Sequence, residues 1–192
     1  MRERFHVAGL PTVIVAKPGG EEIDRTLGYL NTADFTGTID GYHKGIGTLA
    51  AMMEESKTKS GDPQFLFDFG NKLFAHKRIE DADAQFLAAT LADTANASGV
   101  ADDAAYGRIR IAGKNKAWDT GKSHCREFIK KWPGSELLPD ATAYLGYFHG
   151  ESGQKDDAIR VYNEYLAKWP EGGDAEFCRE EIAKLTAPPE EN

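Results

Sequence analysis

The sequence predicts a mainly α-helical chain that opens with a small β-hairpin and continues as a solenoid of helix pairs. Three observations carry that reading. A short β-branched run, Thr12-Val13-Ile14-Val15-Ala16, is followed by a Pro18-Gly19 turn and an alternating segment. Helical apolar spacing then dominates from residue 31 to residue 186. Within that stretch Gly70, Ala82 and Phe86 return as Gly146, Ala158 and Tyr162, each 76 positions on, or two periods of 38.

Residues 12–16 are β-branched, which suits a pleated surface. They are apolar on both faces, the pattern of a central strand covered on both sides. Proline presets φ and glycine accepts positive φ, so Pro18 and Gly19 supply a turn. In 21–29, Ile23, Leu27 and Tyr29 alternate with Glu22, Asp24 and Gly28, and Arg25 falls on the apolar side. This segment reads as a half-buried antiparallel partner. A central strand needs hydrogen-bonded neighbours on both edges, and only one is evident. The bare edge of 12–16 therefore calls for missing chain, a second copy or a partner.

Asn31 or Thr32 caps the first helix through its side-chain oxygen. Glycines at 41, 45 and 47 break it, and a second piece runs through Leu49, Met52 and Met53 to about Lys57. Residues 58–62 read as a linker. From 63 to 186 each unit reads as helix, turn, helix, three pairs in all. The middle copy holds Tyr106-Gly107 and Cys125, and Phe128-Ile-Lys-Lys-Trp132-Pro133 returns as Tyr165-Leu-Ala-Lys-Trp169-Pro170 after 37 positions. Gly70, Gly107, Gly146, Ala82 and Ala158 are small enough for paired helices to approach closely. The last helix, about 173–186, sets Ala175, Cys178, Ile182 and Leu185 on one side and is polar elsewhere, as an end cap requires. Residues 187–192 read as a disordered tail.

Composition excludes several classes. The 192 residues hold 31 acidic against 23 basic side chains, a net charge of −8, which argues against nucleic-acid binding. No run of about 18 apolar residues exists, so no membrane insertion is expected. Met1 to His6 has no apolar signal core. That points to the cytoplasm for the chain as written, or to the periplasm or secretion for a longer form carrying a signal. Cys125 and Cys178 sit at packing positions and read as buried structural thiols, ahead of a mutual disulfide or reactive thiols. His124 adjoins Cys125, but adjacent helical side chains diverge by about 100° and form no dyad. The histidines are scattered without ligand spacing, so no metal or cofactor is expected. The glycines around His43 and Lys44 lack the preceding strand and Gly-Lys-Ser/Thr ending of a phosphate loop and read as a helix break.

The repeat resembles the tetratricopeptide (TPR) family. Ala141, Ala143-Tyr144-Leu145-Gly146-Tyr147, Gly153, Ala158-Ile159, Tyr162, Leu166 and Trp169-Pro170 carry the likeness. Its length and lysine–aromatic–proline ending look like the longer-period repeats of bacterial envelope assembly proteins. The resemblance covers roughly 63–186; the first two units are degenerate. First helices of TPR arrays line an inner groove, which implies Asn71, Lys72, Arg108, Arg110, Tyr147 and His149 as contacts for a protein or peptide ligand.

Residues 1–57 resemble the second half of a thioredoxin fold. Arg4-Phe5-His6-Val7-Ala8-Gly9-Leu10-Pro11-Thr12, the strand to Ala16, the Pro18-Gly19-Gly20 turn and Arg25-Thr26-Leu27-Gly28-Tyr29 carry it. That likeness implies a cis-proline at Pro11 and substrate docking by Leu10, Pro11 and Thr12. The family's Cys-x-x-Cys lies upstream of the Pro-Thr and is not in this sequence, so no redox catalysis is expected of this chain. The expected architecture is thus a partial thioredoxin-like β-β-α unit followed by a TPR-like α-solenoid. The leading function is a non-catalytic protein-interaction or scaffold module. The alternatives are a truncated thioredoxin-like thiol–disulfide oxidoreductase or chaperone, and a structural homodimer through strand 12–16.

Overall fold

The computed structural model describes residue 7 and residues 9–187. Among them run two strands and nine helices: β1 (Thr12–Ala16), β2 (Glu22–Leu27), α1 (Thr32–His43), α2 (Leu49–Glu55), α3 (Pro63–Ala75), α4 (Ile79–Ala92), α5 (Ala101–Lys114), α6 (Trp118–Lys131), α7 (Leu138–Glu151), α8 (Lys155–Lys168) and α9 (Ala175–Thr186). The chain divides into two compact units, Met1–Ala101 and Asp102–Asn192.

In the first unit β1 and β2 pair antiparallel, from Thr12 opposite Leu27 to Val15 opposite Asp24. The register shifts before Ala16, which meets Glu22. β2 is shorter than the 21–29 span expected. It stops at Leu27 because Gly28 takes φ +95° and turns the chain away, leaving Tyr29 87% exposed. The other edge of β1 has no neighbouring strand among the described residues. Asp24 departs from the alternation: expected on the polar face, it is 1% exposed, held there by partners from α2 and α3 described below.

Asn31 caps α1 by accepting from the Asp34 backbone N–H at 3.0 Å. The glycine-bearing stretch after His43 separates α1 from α2. Residues 58–62 form turns, and Asp62 caps α3 by accepting from Phe65 N at 3.2 Å, with Pro63 at the first helical position where a missing N–H costs nothing. α3 and α4 pack as a pair over Gly70, where a Cβ would lie 2.7 Å from the Phe86 ring. Phe65, Leu66, Phe69, Leu73, Ala82, Phe86 and Ala89 form the buried centre of this pair. The first compact unit therefore runs from the hairpin through 58–62 to the end of α4.

In the second unit α6 packs on α7, α7 on α8 and α8 on α9. The small residues again mark the close approaches. A Cβ on Gly121 would lie 2.6 Å from Phe148 Cζ, and one on Gly146 2.7 Å from Tyr162 Cδ1. Trp132 and Trp169 stand just past the ends of α6 and α8, each followed by a proline that cannot continue the helix. Cys125 and Cys178 are free and buried. Burial pushes the Cys125 thiol far up and the Cys178 thiol up to about 11. Ala175 and Cys178 close the core against Ala158, Tyr162 and Tyr165, with Ile182 and Leu185 at its border. The tail from 188 onward lies outside the described residues.

Candidate functional site

A cavity of about 460 Å³ opens on the second unit. α5 supplies Tyr106, Arg110 and Lys114, spaced four apart and so stacked on one helix face. α7 supplies Asp140, Tyr144 and Tyr147 at spacings of four and three, and the start of α9 supplies Asp174 and Phe177. The tyrosines meet edge to face: Tyr106 on Tyr144 with centroids 5.9 Å apart, and Tyr144 on Tyr147 at 6.3 Å. Trp118 props Tyr147 from behind at 5.9 Å. Burial raises the Tyr106 and Tyr144 phenols, so both stay protonated and act as hydroxyl donors. Tyr106 Oη reaches Asp140 Oδ2 at 3.5 Å. The Asp174 carboxyl is raised by its own partial burial and then by the like charge of Asp140. The groove offers aromatic faces, two carboxylates at one end and two basic side chains along α5. With its phenols held protonated it presents hydroxyl donors beside those aromatic faces.

The expected contact residues divide. Arg110 and Tyr147 line this groove; Arg108 and His149 do not. Each of the latter is two positions from a groove residue, and helical residues two apart point about 200° apart, to opposite faces. His149 is 2% exposed. Its Nδ1 donates to Gln154 Oε1 at 2.8 Å, and its Nε2 accepts from Arg126 Nη2 at 3.2 Å. Burial lowers its pKa and keeps it neutral. Gln154 Oε1 and Ser152 Oγ also receive the buried Lys122 ammonium, at 2.7 and 3.1 Å. This cluster is internal scaffolding. Tyr106, Lys114, Asp140, Tyr144, Asp174 and Phe177 were not named as contact residues from the sequence, although the four-residue stripe through Arg110 already contains two of them.

The first unit holds a wider cleft of about 1000 Å³, with Asn71 and Lys72 of α3 among its lining residues. Lys72 is not available as a ligand contact. Its ammonium donates to Asp24 Oδ1 at 3.0 Å, to Arg25 O at 3.2 Å and to the Tyr42 hydroxyl at 2.5 Å. Asp24 Oδ1 also accepts from His76 Nε2 at 2.9 Å and from the Arg25 backbone N–H at 2.6 Å, while Oδ2 accepts from Leu49 N. The Tyr42 hydroxyl in turn donates to Arg25 O at 3.0 Å. Burial alone would raise the Asp24 carboxyl, but these donors outweigh it and hold the group below its usual value. All three ammonium protons are used, so the cluster is a clasp joining β2, α1, α2 and α3. Leu10, Pro11 and Thr12 lie at the open end of the hairpin. The Leu10–Pro11 peptide is cis, Leu10 is 67% exposed, and the Thr12 hydroxyl donates to Gly9 O. Among the described residues no His, Cys, Asp and Glu side chains cluster to hold a metal, and no helix is long and apolar enough to cross a membrane.

The helix pairs and the capping helix define a TPR-like helical fold. The chain is similar to the crystal structure of MamA, a TPR-containing protein, with a TM-score of 0.55 at 14% identity over 82% of this chain and 94% of that one. No family model and no curated protein matches the sequence.

Proposed function

We propose that this chain is a non-catalytic protein-interaction module whose second unit binds an extended peptide segment. The convergence of α5, α7 and the start of α9 on one aromatic groove carries the reading. The TPR-like fold supports it, because stacked helix pairs expose a continuous surface for a partner. The test is to pan a displayed random-peptide library on the full chain. Binders should weaken by about tenfold in Tyr147→Ala and in Phe177→Ala, the scale of a truncated aromatic anchor. Binders indifferent to both substitutions would sink the groove reading.

A second reading concerns β1. Gly28 N donates to Pro11 O at 2.9 Å, which marks that pair as hydrogen-bonded. Alternate pairs share that character, so the amide and carbonyl of Thr12 and Ile14 face the open edge. An added strand completes the sheet there. The strand could come from a second copy of the chain, or from an upstream thioredoxin-like half in a longer natural form. Leu10, Pro11 and Thr12 would then dock the incoming segment. Sedimentation across a concentration series should show a dimer that Ile14→Pro abolishes. A monomer throughout removes the homodimer, and the intact mass of the native protein decides the longer form.

A further inference from the structure

We infer that the groove selects a proline-rich segment in the polyproline II conformation. This selectivity rests on the peptide groove proposed above. Tyr106, Tyr144 and Tyr147 form a row of half-buried rings along it. Neighbouring rings stand nearly perpendicular, at 76° and 89°, so each pair walls a notch. The row is braced from within. Phe148 packs 5.7 Å from both Tyr144 and Tyr147, and Phe128 lies 6.4 Å from Tyr106. Rings held this way have little rotamer freedom left to lose when a ligand arrives.

Hydrogen bonding decides between occupants. The Tyr144 and Tyr147 hydroxyls make no hydrogen bond with a described residue, so the row presents O–H donors. Among the described residues that line the groove there is no Asn, Gln, Ser or Thr, and its carboxylates stand at one end. A strand-like segment would carry N–H groups over the rings, where acceptors are few, and an unpaired N–H is costly out of water. Proline has no N–H and keeps its carbonyl. In a proline-rich segment the carbonyls accept from the phenols while the pyrrolidine rings enter the notches. Charge does not choose the occupant. Arg110 and Lys114 hold interactions of their own, and a proline side chain makes no demand on them.

The dimensions agree. A polyproline II helix advances about 3.1 Å per residue with three residues per turn. Two residues therefore span about 6 Å, and successive ring centroids in the row are 5.9 and 6.3 Å apart. A helix with three residues per turn lays two of its three ridges on a surface, so a Pro-Xaa-Pro step fills adjacent notches. The segment also keeps this conformation before it binds, which lowers the ordering cost.

The test is fluorescence anisotropy on the full chain with a labelled Ser-Pro-Pro-Pro-Pro-Pro-Pro-Ser peptide and two controls. One control is the same peptide built from D-proline, which forms the mirror-image helix. The other is the strand former Ser-Val-Thr-Val-Thr-Val-Thr-Ser. Both controls should bind at least about fivefold more weakly, and a smaller difference overturns the inference. The double substitution Tyr144→Phe with Tyr147→Phe keeps the rings and removes the donors. It should weaken the L-proline peptide by about fivefold while melting with the parent, because those hydroxyls bond to no described residue. Unchanged binding in a folded double variant overturns the inference, as does absence of binding by the L-proline peptide. The library selection keeps the two readings apart. Binders that depend on Tyr147 and Phe177 yet carry no proline overturn the selectivity and leave the groove standing, whereas binders indifferent to both residues remove the groove itself.

Discussion

The Asp24 carboxylate takes hydrogen bonds from Lys72, His76, Arg25 N and Leu49 N, and removing one donor leaves a charge stranded out of water. Lys72→Met should cost about 3 kcal/mol, read as a fall in the urea midpoint, because breaking a buried pair exposes its full desolvation penalty. Replacing both partners, with Asp24→Leu added, should recover much of the loss. The acid dependence has a definite sign. The folded carboxyl titrates below the unfolded value of 3.8, so its contribution is complete above pH 3.8 and is lost as pH falls through the lower folded value. The stability gap between the parent and Asp24→Asn should therefore narrow in that acid window. The thiols give a second check at this scale. With burial raising both, Cys125 and Cys178 should resist Ellman's reagent in the native protein at pH 8 and react in denaturant. Prompt reaction of either in the native state would contradict the packing. Cys125 was legible as a packing residue from its repeat position, and Cys178 from the apolar face of the last helix. Asp24 was not, because strand alternation weighs only near neighbours, whereas Lys72 and His76 lie 48 and 52 residues away.

At the level of elements, the close helix approaches at Gly121 and Gly146 separate two effects that usually act together. Alanine is the better helix former by about 1 kcal/mol, yet at Gly146 its Cβ would enter the Tyr162 ring. Gly146→Ala should therefore destabilise by about 1–3 kcal/mol through overpacking. At Gly113 the same Cβ would meet Phe148 at 3.5 Å, an ordinary contact. Gly113→Ala should be neutral or stabilising by up to about 1 kcal/mol. Paired urea curves test both, and a Gly146→Ala protein as stable as its parent would mean that Tyr162 yields freely. Gly146 and its partner Tyr162 were visible in the sequence as the recurrence of Gly70 and Phe86, since the repeat forces the same small-to-large packing in each pair. The groove face was only half visible. Arg110 and Tyr147 were found, but Arg108 and His149 were set beside them at a two-residue spacing that a helix cannot put on one face. The stripe of Tyr106, Arg110 and Lys114 obeys the right period and could have been read.

For the whole molecule, the period near 38 and the aromatic-proline stops were enough to indicate helix pairs, and the TPR-like fold follows from them even at 14% identity to MamA. The grouping of elements was harder to read. The break after residue 57 looked natural from composition, yet the first compact unit continues to Ala101. The reason lies in α3: Lys72 and His76 reach back to Asp24 and bind the first helix pair to the hairpin. Charge acts at this scale too. Association of a basic peptide with a chain of net charge −8 should slow as salt rises from 50 to 300 mM, through kon more than koff, as stopped-flow traces would show.

Trp118, Trp132 and Trp169 are the three tryptophans of the chain, and all fall in the second compact unit. Emission excited at 295 nm is therefore blind to the hairpin and the first helix pair, while far-UV circular dichroism records helices from both units. Overlaid melts from the two probes show directly whether the molecule has one cooperative transition or two. A dichroism phase without a fluorescence counterpart belongs to the unit held by Asp24, and Lys72→Met would move that phase alone.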